Sequence, residues 1–318
     1  MLAYVTRRVL VSLPVLFGVT LVVFVLVNLM PGDPATYFVN PELGGTAEQM
    51  AAVRARLGLN QPLEVRYVKW LAEAARGHLG YRIKNGDPVG SLIAQHFSAT
   101  VLLVGVALSL GIAVGVSLGI VTALRQYSVW DYTLTALSFL GVSMPAFITG
   151  IFGLYTLALR LPLFPAGGLV TVGAPPSFWD TLYHVILPAC MLSFGYLAMF
   201  MRYTRFSMLE VLHQDFMATA RAKGLGERRV IGVHALRNAL LPVVTAIGLS
   251  LPGLVVGAVF IETIFSWPGM GSLYLDAVQA RDYPLIMGLD LVSAGAILLT
   301  NLLTDVAYAL VDPRIRYR

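Results

Sequence analysis

The polar residues that could do chemistry in this chain fall into two groups, a basic stretch between two apolar runs and a few polar side chains within such runs. The basic stretch extends from Asp215 to Pro242 and reads DFMATARAKGLGERRVIGVHALRNALLP. Its alanines favour a short helix, and a glycine stands where a C-terminal cap would end that helix. We predict a short helix that another protein binds. The predicted contact residues are Asp215, Ala218, Thr219, Ala220, Arg221, Lys223 and Gly224.

Polar side chains within the last apolar run form the second group. At about 100° per residue, Asp290, Asn301, Asp305 and Tyr308 share one side of a helix. A charged group at the centre of a membrane costs about 2.5–3.5 kcal/mol on insertion scales, so such groups normally face protein or water. The stripe therefore either lines a wet pathway or pairs with polar groups on adjacent helices. Asp290 and Asn301 are the better pathway candidates, because Asp305 lies near the end of the run.

Glu262 and Pro145 are two further candidates for a pathway or gate. Glu262 ends an apolar run and is followed by Phe265, Trp267 and Pro268, a composition typical of a membrane interface. It lies either at the external surface or in a gate or docking contact. Pro145 falls within an apolar run, where proline removes a backbone donor and kinks a helix.

Several catalytic classes are excluded by residue type alone. A Walker A loop needs a lysine followed by serine or threonine, but Lys69, Lys84 and Lys223 precede Trp, Asn and Gly. The His-Glu-x-x-His and Gly-x-Ser-x-Gly motifs are also absent, and Cys190 is the single cysteine. We expect no catalytic, metal or cofactor site in this chain, and no enzyme activity. If ATP and Mg²⁺ drive it, another polypeptide holds them.

The composition is that of an integral membrane protein. Of 318 residues, 57% are hydrophobic and 12% are charged, against roughly 45–50% and about 25% in soluble proteins. The mean hydropathy is +0.76. The net charge of +5 sits at the ends of apolar runs, so it indicates membrane topology and no nucleic-acid partner.

Six apolar runs are long enough to cross a bilayer, which needs about 20 residues. We predict a single transmembrane domain, 1–318, with spans at about 9–29, 100–124, 132–159, 185–201, 239–264 and 285–311. The loop 206–238 carries the basic stretch, and the long loop 31–98 is an insertion. Within that insertion, Thr46 and Gln49 predict a capping box, and Leu63 to Ala75 predicts an amphipathic helix.

The distribution of basic residues gives the orientation. With both termini inside, the short inner loops hold thirteen of the 22 Lys and Arg residues. Short outer loops hold two, so the positive-inside rule predicts N-in and C-in, with residues 31–98 outside. The inner set is Arg7, Arg8, Arg125, Arg202, Arg205, Arg221, Lys223, Arg228, Arg229, Arg237, Arg314, Arg316 and Arg318.

The second run carries Gly111, Gly115 and Gly119 at four-residue spacing. This spacing places the glycines on one helix face and lets another helix approach closely. The strip serves either internal packing or an interface with another subunit.

Several short motifs, in the same order from end to end, resemble the dipeptide, oligopeptide and nickel permease subunits of bacterial ABC importers, and specifically the first permease of each pair. In the coupling loop of that family, a Glu-Ala-Ala triplet precedes glycine by three residues. Here the triplet positions fall on Ala218, Thr219 and Ala220, so the glutamate is absent. Another departure is Gly77–Tyr81, where the family usually has aspartate and serine in place of His78 and Tyr81. The matching motifs are MPGDP (30–34), LGLNQPL (57–63), TARAKG (219–224), HALRNALLP (234–242), ETIFSWPGMG (262–271), RDYP (281–284) and DPRIR (312–316).

The resemblance implies the type I ABC importer permease fold, with six transmembrane helices, a small helical extracytoplasmic insertion and a cytoplasmic coupling helix. It also implies a homologous second permease subunit, two ATPase subunits that hold ATP and Mg²⁺, and an extracytoplasmic solute-binding protein. The implied function is to form half of a translocation pathway for peptides or a related small solute in the bacterial inner membrane. The alternative is a stand-alone secondary transporter, which would usually show inverted repeats.

Overall fold

The computed structural model of the chain describes residues 2–30, 35, 46–56, 58–175, 177–256 and 258–311. Of the described residues, 79% are helical, and the only β-type pairing among them is an isolated bridge between Tyr81 and Pro88. The motifs at 30–34 and 312–316 lie almost wholly outside these residues.

The helices of the described residues are numbered in chain order. They are α1 (Leu2–Leu29), α2 (Ala47–Arg56), α3 (Leu63–Ala75), α4 (Val89–Leu124), α5 (Val129–Ser143), α6 (Ala146–Arg160), α7 (Phe178–Leu212), α8 (Asp215–Ala222), α9 (Glu227–Ala239), α10 (Leu241–Val256), α11 (Val259–Ile264), α12 (Met270–Gln279) and α13 (Tyr283–Val311).

Four of the described helices, α1, α4, α7 and α13, are individually long and apolar enough to cross a membrane. Two bent pairs, α5 with α6 and α9 with α10, bring the number to six if each pair counts as one span. The all-α membrane architecture predicted from the composition is confirmed.

The second and fourth spans are longer than hydropathy predicted. α4 begins at Val89, inside the segment assigned to the insertion, and α7 runs from Phe178 to Leu212. Pro188 is buried inside α7 without ending it. Hydropathy marks only the apolar part of a helix, whereas the backbone hydrogen bonds continue into polar flanks until a cap ends them. For that reason residues 206–212, assigned to the loop, belong to α7.

The third and fifth predicted spans are broken helices. α5 ends at Ser143, Met144 is extended with φ −82° and ψ 123°, and α6 then leaves at 105° to α5. The residue before a proline is disfavoured in helical conformation, so Pro145 sets the position of this corner. The fifth span is divided among α9, α10 and α11, with a 45° bend between α9 and α10.

The tightest helix pair is α4 with α7, and the glycine strip is the reason. A Cβ added at Gly115 would lie 2.7 Å from the carbonyl oxygen of Leu197, and one at Gly119 would lie 2.6 Å from Cβ of Thr204. A Cβ at Gly111 would collide with Tyr196. All three neighbours belong to α7, so the strip serves packing within the chain.

The described part of the insertion folds onto α1. The predicted capping box is present, since Thr46 and Gln49 exchange hydrogen bonds of 3.1 and 3.2 Å between side chain and backbone. The predicted helix over Leu63–Ala75 is α3, and its Tyr67 is buried. The Tyr67 hydroxyl lies 2.9 Å from the Thr20 hydroxyl of α1. This contact and the surrounding rings tie the insertion to the bundle.

Candidate functional site

α8 forms where the alanine-rich pattern predicts it. Asp215 lies in its first turn, where a carboxylate interacts favourably with the helix dipole. Gly224 follows the helix with φ +75°, and its N–H donates to the carbonyl of Arg221 at 2.9 Å. This left-handed conformation is one that glycine adopts without steric cost. The predicted helix and its glycine cap are confirmed, while their contact with another protein stays a prediction.

α8 has one face buried in its own chain and one face exposed. Met217 is fully buried and Ala220 is 7% exposed, both within an apolar cluster that includes Met208 of α7 and Val230 of α9. Ala220 therefore anchors the helix to the bundle and is not available to a partner. The remaining predicted contact residues are exposed: Asp215, Ala218, Thr219, Arg221, Lys223 and Gly224.

The exposed face of α8 is polar and basic. Arg221 pairs with Glu227 at 2.8 Å, and both side chains remain exposed. Lys223, Arg228 and Arg229 are exposed as well. An exposed ion pair of this kind contributes little to stability. The geometry is that of an exposed basic surface held in place by two apolar anchors.

The path from α8 into the bundle passes through an irregular helix. Within α9, residues Val230–Ala235 form a π-helix, a conformation often found at functional positions inside α-helices. α9 then bends by 45° into α10, which leads on to α11. A displacement of α8 would reach the bundle through these bent segments.

Glu262 lies at the opposite end of that path, and the prediction that it lies at the external surface is wrong. Its side chain is completely buried and accepts hydrogen bonds from the Thr100 hydroxyl at 2.9 Å and the Ser272 backbone N–H at 2.9 Å. The Thr100 hydroxyl also accepts from the backbone N–H of Met270 at 2.7 Å. Hydropathy could not reveal this, because the partners come from α4 and α12.

Trp267 completes this arrangement, which we call the Glu262 cluster (Thr100, Glu262, Trp267 and Ser272). The indole N–H of Trp267 donates to the carbonyl of Ala99 at 2.8 Å, and the ring is 1% exposed. The Ser272 hydroxyl lies 2.9 Å from the Trp267 carbonyl oxygen. The cluster joins α4, α11 and α12 through satisfied polar contacts in a buried environment.

The polar stripe on α13 divides among different surroundings. Asp290 is half-buried, hydrogen-bonds to Tyr274 of α12 and lines a cavity of about 400 Å³ with Ser293 and residues of α1. Asn301 is half-buried farther along α13 and does not line that cavity. Asp305 pairs with Arg8 of α1 at 2.7 Å. Both aspartates thus contact adjacent helices, whereas the side chain of Tyr308 lies outside the described residues.

Pro145 is exposed at the corner between α5 and α6. Its ring fixes the backbone where the 105° bend occurs. Its assignment to a pathway or gate stays a prediction.

Sequence reasoning missed two buried ion pairs. Arg205 of α7 contacts Asp131 of α5 through two hydrogen bonds of 2.8 and 3.0 Å. Asp282, at the start of α13, is 1% exposed and accepts from the Ile83 backbone N–H at 3.0 Å, with Arg82 close by. Burial raises the pKa of Asp282, against hydrogen bonds from Ile83 and Leu285 and the charge of Arg82. The Arg-Asp-Tyr-Pro motif contained this residue but not its distant partner.

No group of three His, Cys, Asp or Glu residues in the described part of the chain is arranged to hold a metal ion. The polar clusters are instead hydrogen-bonded structural sites, an exposed basic helix and one half-buried carboxylate. Together with the bent spans, they define the class as an all-α integral membrane protein with an exposed basic helix between two spans.

Two family models cover almost the whole chain. The model described as "Binding-protein-dependent transport system inner membrane component" matches residues 115–317. Residues 1–104 match the N-terminal family of binding-protein-dependent transport system membrane components. The chain belongs to this family of transport permeases.

Curated relatives match over the full length. A Brucella suis (biovar 1) protein, whose name assigns it provisionally to the peptide permeases, is 47% identical over 317 residues, covering 99% of each chain. The oligopeptide transport system permease protein AppB of Bacillus subtilis is 42% identical, and the dipeptide transport system permease protein DppB of Escherichia coli K12 is 40% identical. Each of the latter two matches covers 100% of both chains.

A solved structure supports the fold. The chain resembles one from the MetNI methionine ABC transporter in an inward-facing conformation, with a TM-score of 0.54 and 14% identity. The match covers 70% of this chain and 96% of the other. The type I importer permease fold is thereby confirmed. At this low identity the match is evidence for the fold alone and not for the transported solute.

Proposed function

We propose that this chain is the permease subunit of an ATP-driven ABC importer and forms half of the translocation pathway for peptides or a related small solute. The observation that carries the proposal is α8, which is anchored by Met217 and Ala220 and exposes a basic face between two spans. The names of the full-length relatives support peptides as the cargo.

The proposed assembly contains this chain, a homologous second permease, two ATPase subunits and an extracytoplasmic solute-binding protein. The ATPase subunits hold ATP and Mg²⁺, because this sequence has no Walker A lysine. α8 contacts one ATPase, whose closure moves α9 and α10 and switches the bundle between two states. The lipid bilayer surrounds the assembly, and no nucleic acid takes part.

Reconstitution tests the proposal against its rival, a stand-alone secondary transporter. Proteoliposomes containing the purified complex and its binding protein should take up labelled dipeptide only when ATP is enclosed with the ATPase subunits. Vesicles containing this chain alone should take up none. ATP-independent uptake by the single chain under an ion gradient would contradict the importer assignment and favour the rival.

The proposed orientation is N-in and C-in, with α8 in the cytoplasm. After Cys190 is replaced by serine, a cysteine introduced at exposed Arg228 should react with membrane-permeant maleimides but not with impermeant ones in intact cells. A cysteine at exposed Lys84 in the insertion should react with both. Labelling of position 228 from outside would overturn this topology.

Gly224 allows the coupling role of α8 to be tested. A Cβ at this position would meet nothing within 4 Å, so Gly224→Trp projects its ring away from the chain, with backbone strain from φ +75°. We expect uptake to fall more than tenfold while ATP hydrolysis continues. Gly224→Asn is the matched control, because asparagine tolerates the left-handed conformation and is small. Normal uptake by the tryptophan variant would show that this surface does not touch the ATPase.

A further inference from the structure

A cleft of about 680 Å³ lies between α5 and α7, separate from the cavity of Asp290. This volume falls within the range of about 300–1,000 Å³ found for small-molecule sites. Its lining mixes hydroxyl, thioether, aromatic and guanidinium groups. The lining residues that matter here are Thr135, Ser138, Phe139, Met199, Arg202 and Arg205.

The two arginines of the cleft differ in their partners. Arg205 is neutralised by the two hydrogen bonds to Asp131. Arg202 is exposed, and no carboxylate of the described residues lies within ion-pair distance of it. Its guanidinium lies over the ring of Phe139, 5.3 Å from the centroid. A cation near the C-terminal end of a spanning helix, without a protein counter-charge, pairs with water, a lipid headgroup or an anionic ligand.

The cleft has an open wall at Gly195. A Cβ built on this helical glycine would meet nothing within 4 Å, in contrast to the crowded glycines of α4. The neighbouring Met199 contributes a flexible, polarisable surface that adapts to ligands of different shape. An adaptable apolar wall beside one fixed charge suits ligands that share a charged group but differ in their side chains.

We propose that Arg202 binds the carboxylate of the cargo in this cleft. The guanidinium presents parallel N–H donors that match a carboxylate in a bidentate geometry. Phe139 supports the guanidinium from one face and leaves its edge available. The proposal rests on the proposed function, because it assigns one end of a peptide to a residue of the same pathway.

The test compares two substrates in the reconstituted importer, a dipeptide with a free carboxylate and the same dipeptide amidated at its C-terminus. Arg202→Gln should lower the uptake of the free dipeptide about tenfold and leave that of the amide nearly unchanged. Because the binding protein is the same in every sample, its own preference cancels when the ratio of the two rates is compared with wild type. Arg160→Gln is the matched control, since Arg160 lies over Tyr155 at 5.2 Å but does not line the cleft.

An equal fall for both substrates would overturn the proposal. The same comparison is made with anionic lipid added to the vesicles. If the lipid changed the uptake rate of the wild type but not that of the Arg202→Gln variant, the true ligand would be a lipid phosphate.

A second variant asks whether cargo passes through the cleft at all. Gly195→Phe fills open space without a clash, so the complex should assemble and hydrolyse ATP but lose most uptake of both substrates. Gly295→Phe on α13, whose Cβ also meets nothing within 4 Å, should retain uptake. Normal uptake by Gly195→Phe would exclude the cleft from the route. Failure of the wild-type complex to show ATP-dependent uptake would instead count against the proposed function itself.

Discussion

The polar residues of the Glu262 cluster are buried or half-buried and hydrogen-bonded, whereas those of α8 are exposed. In the cluster, a carboxylate with no exposed surface accepts hydrogen bonds from two different helices. In α8, the charged residues are exposed, and Arg221 pairs with Glu227 at the start of α9. The chain fixes α4, α11 and α12 together at the cluster and leaves α8 attached mainly by Met217 and Ala220.

This difference indicates which parts of the molecule can move independently. A buried, fully satisfied polar network holds a single geometry, because any displacement leaves donors or acceptors unpaired. A helix held by two apolar side chains has no buried polar partners to lose when it shifts, and its polar face stays exposed. The π-helical segment in α9 and the 45° bend into α10 lie between α8 and Glu262 in the chain.

The largest expected effect comes from removing the carboxylate of the cluster. Glu262→Ala leaves the Thr100 hydroxyl and the Ser272 N–H buried without their acceptor, at about 1–3 kcal/mol each. We expect the folded fraction in detergent and the thermal midpoint to fall sharply. Glu210→Ala, at an exposed site on α7, should leave both unchanged. A stable, assembled Glu262→Ala protein would remove the contrast with α8.

A smaller effect is expected where α4 packs on α7. Gly115→Ala forces a Cβ to within 2.7 Å of the Leu197 carbonyl oxygen, so the helices must separate at a cost of about 1–3 kcal/mol. Gly105→Ala on the same helix meets only Leu254 at 3.8 Å and should stabilise by up to about 1 kcal/mol through helix propensity. Denaturant midpoints of the two variants should therefore move in opposite directions. Equal midpoints would show that the close approach is not required.

The smallest effect concerns another buried carboxylate, Asp282. Because burial raises its pKa, its stabilising contribution is fully present below the ordinary carboxyl value and is lost as pH rises through the raised pKa. Asp282→Asn keeps a neutral side chain near Ile83 and Arg82, so its thermal midpoint should vary less with pH than that of wild type. An unchanged pH profile would mean that Asp282 does not titrate in this range.

Local signals in the sequence predicted the parts of the molecule that depend on neighbours in the chain. The capping box of Thr46 and Gln49, the helix Leu63–Ala75 and the glycine cap of α8 are all present. The corner at Pro145 was indicated as a kink, but its 105° angle was not predictable, because packing against other helices determines how far a broken span turns. The partners of Arg205 and Asp282 were missed since they lie far away in sequence.

The sequence by itself determined that the chain crosses a membrane, that five basic residues cluster in the stretch from Asp215 to Pro242, and that it has no Walker A motif. These properties follow from residue type and short-range spacing. Only the tertiary structure decided that Glu262 is buried, that Ala220 faces its own chain, and that Arg202 lines a cleft without a counter-charge. Burial and pairing depend on residues far apart in the chain, such as Ile83 and Asp282 at 199 positions, and such distances leave no trace in a local pattern.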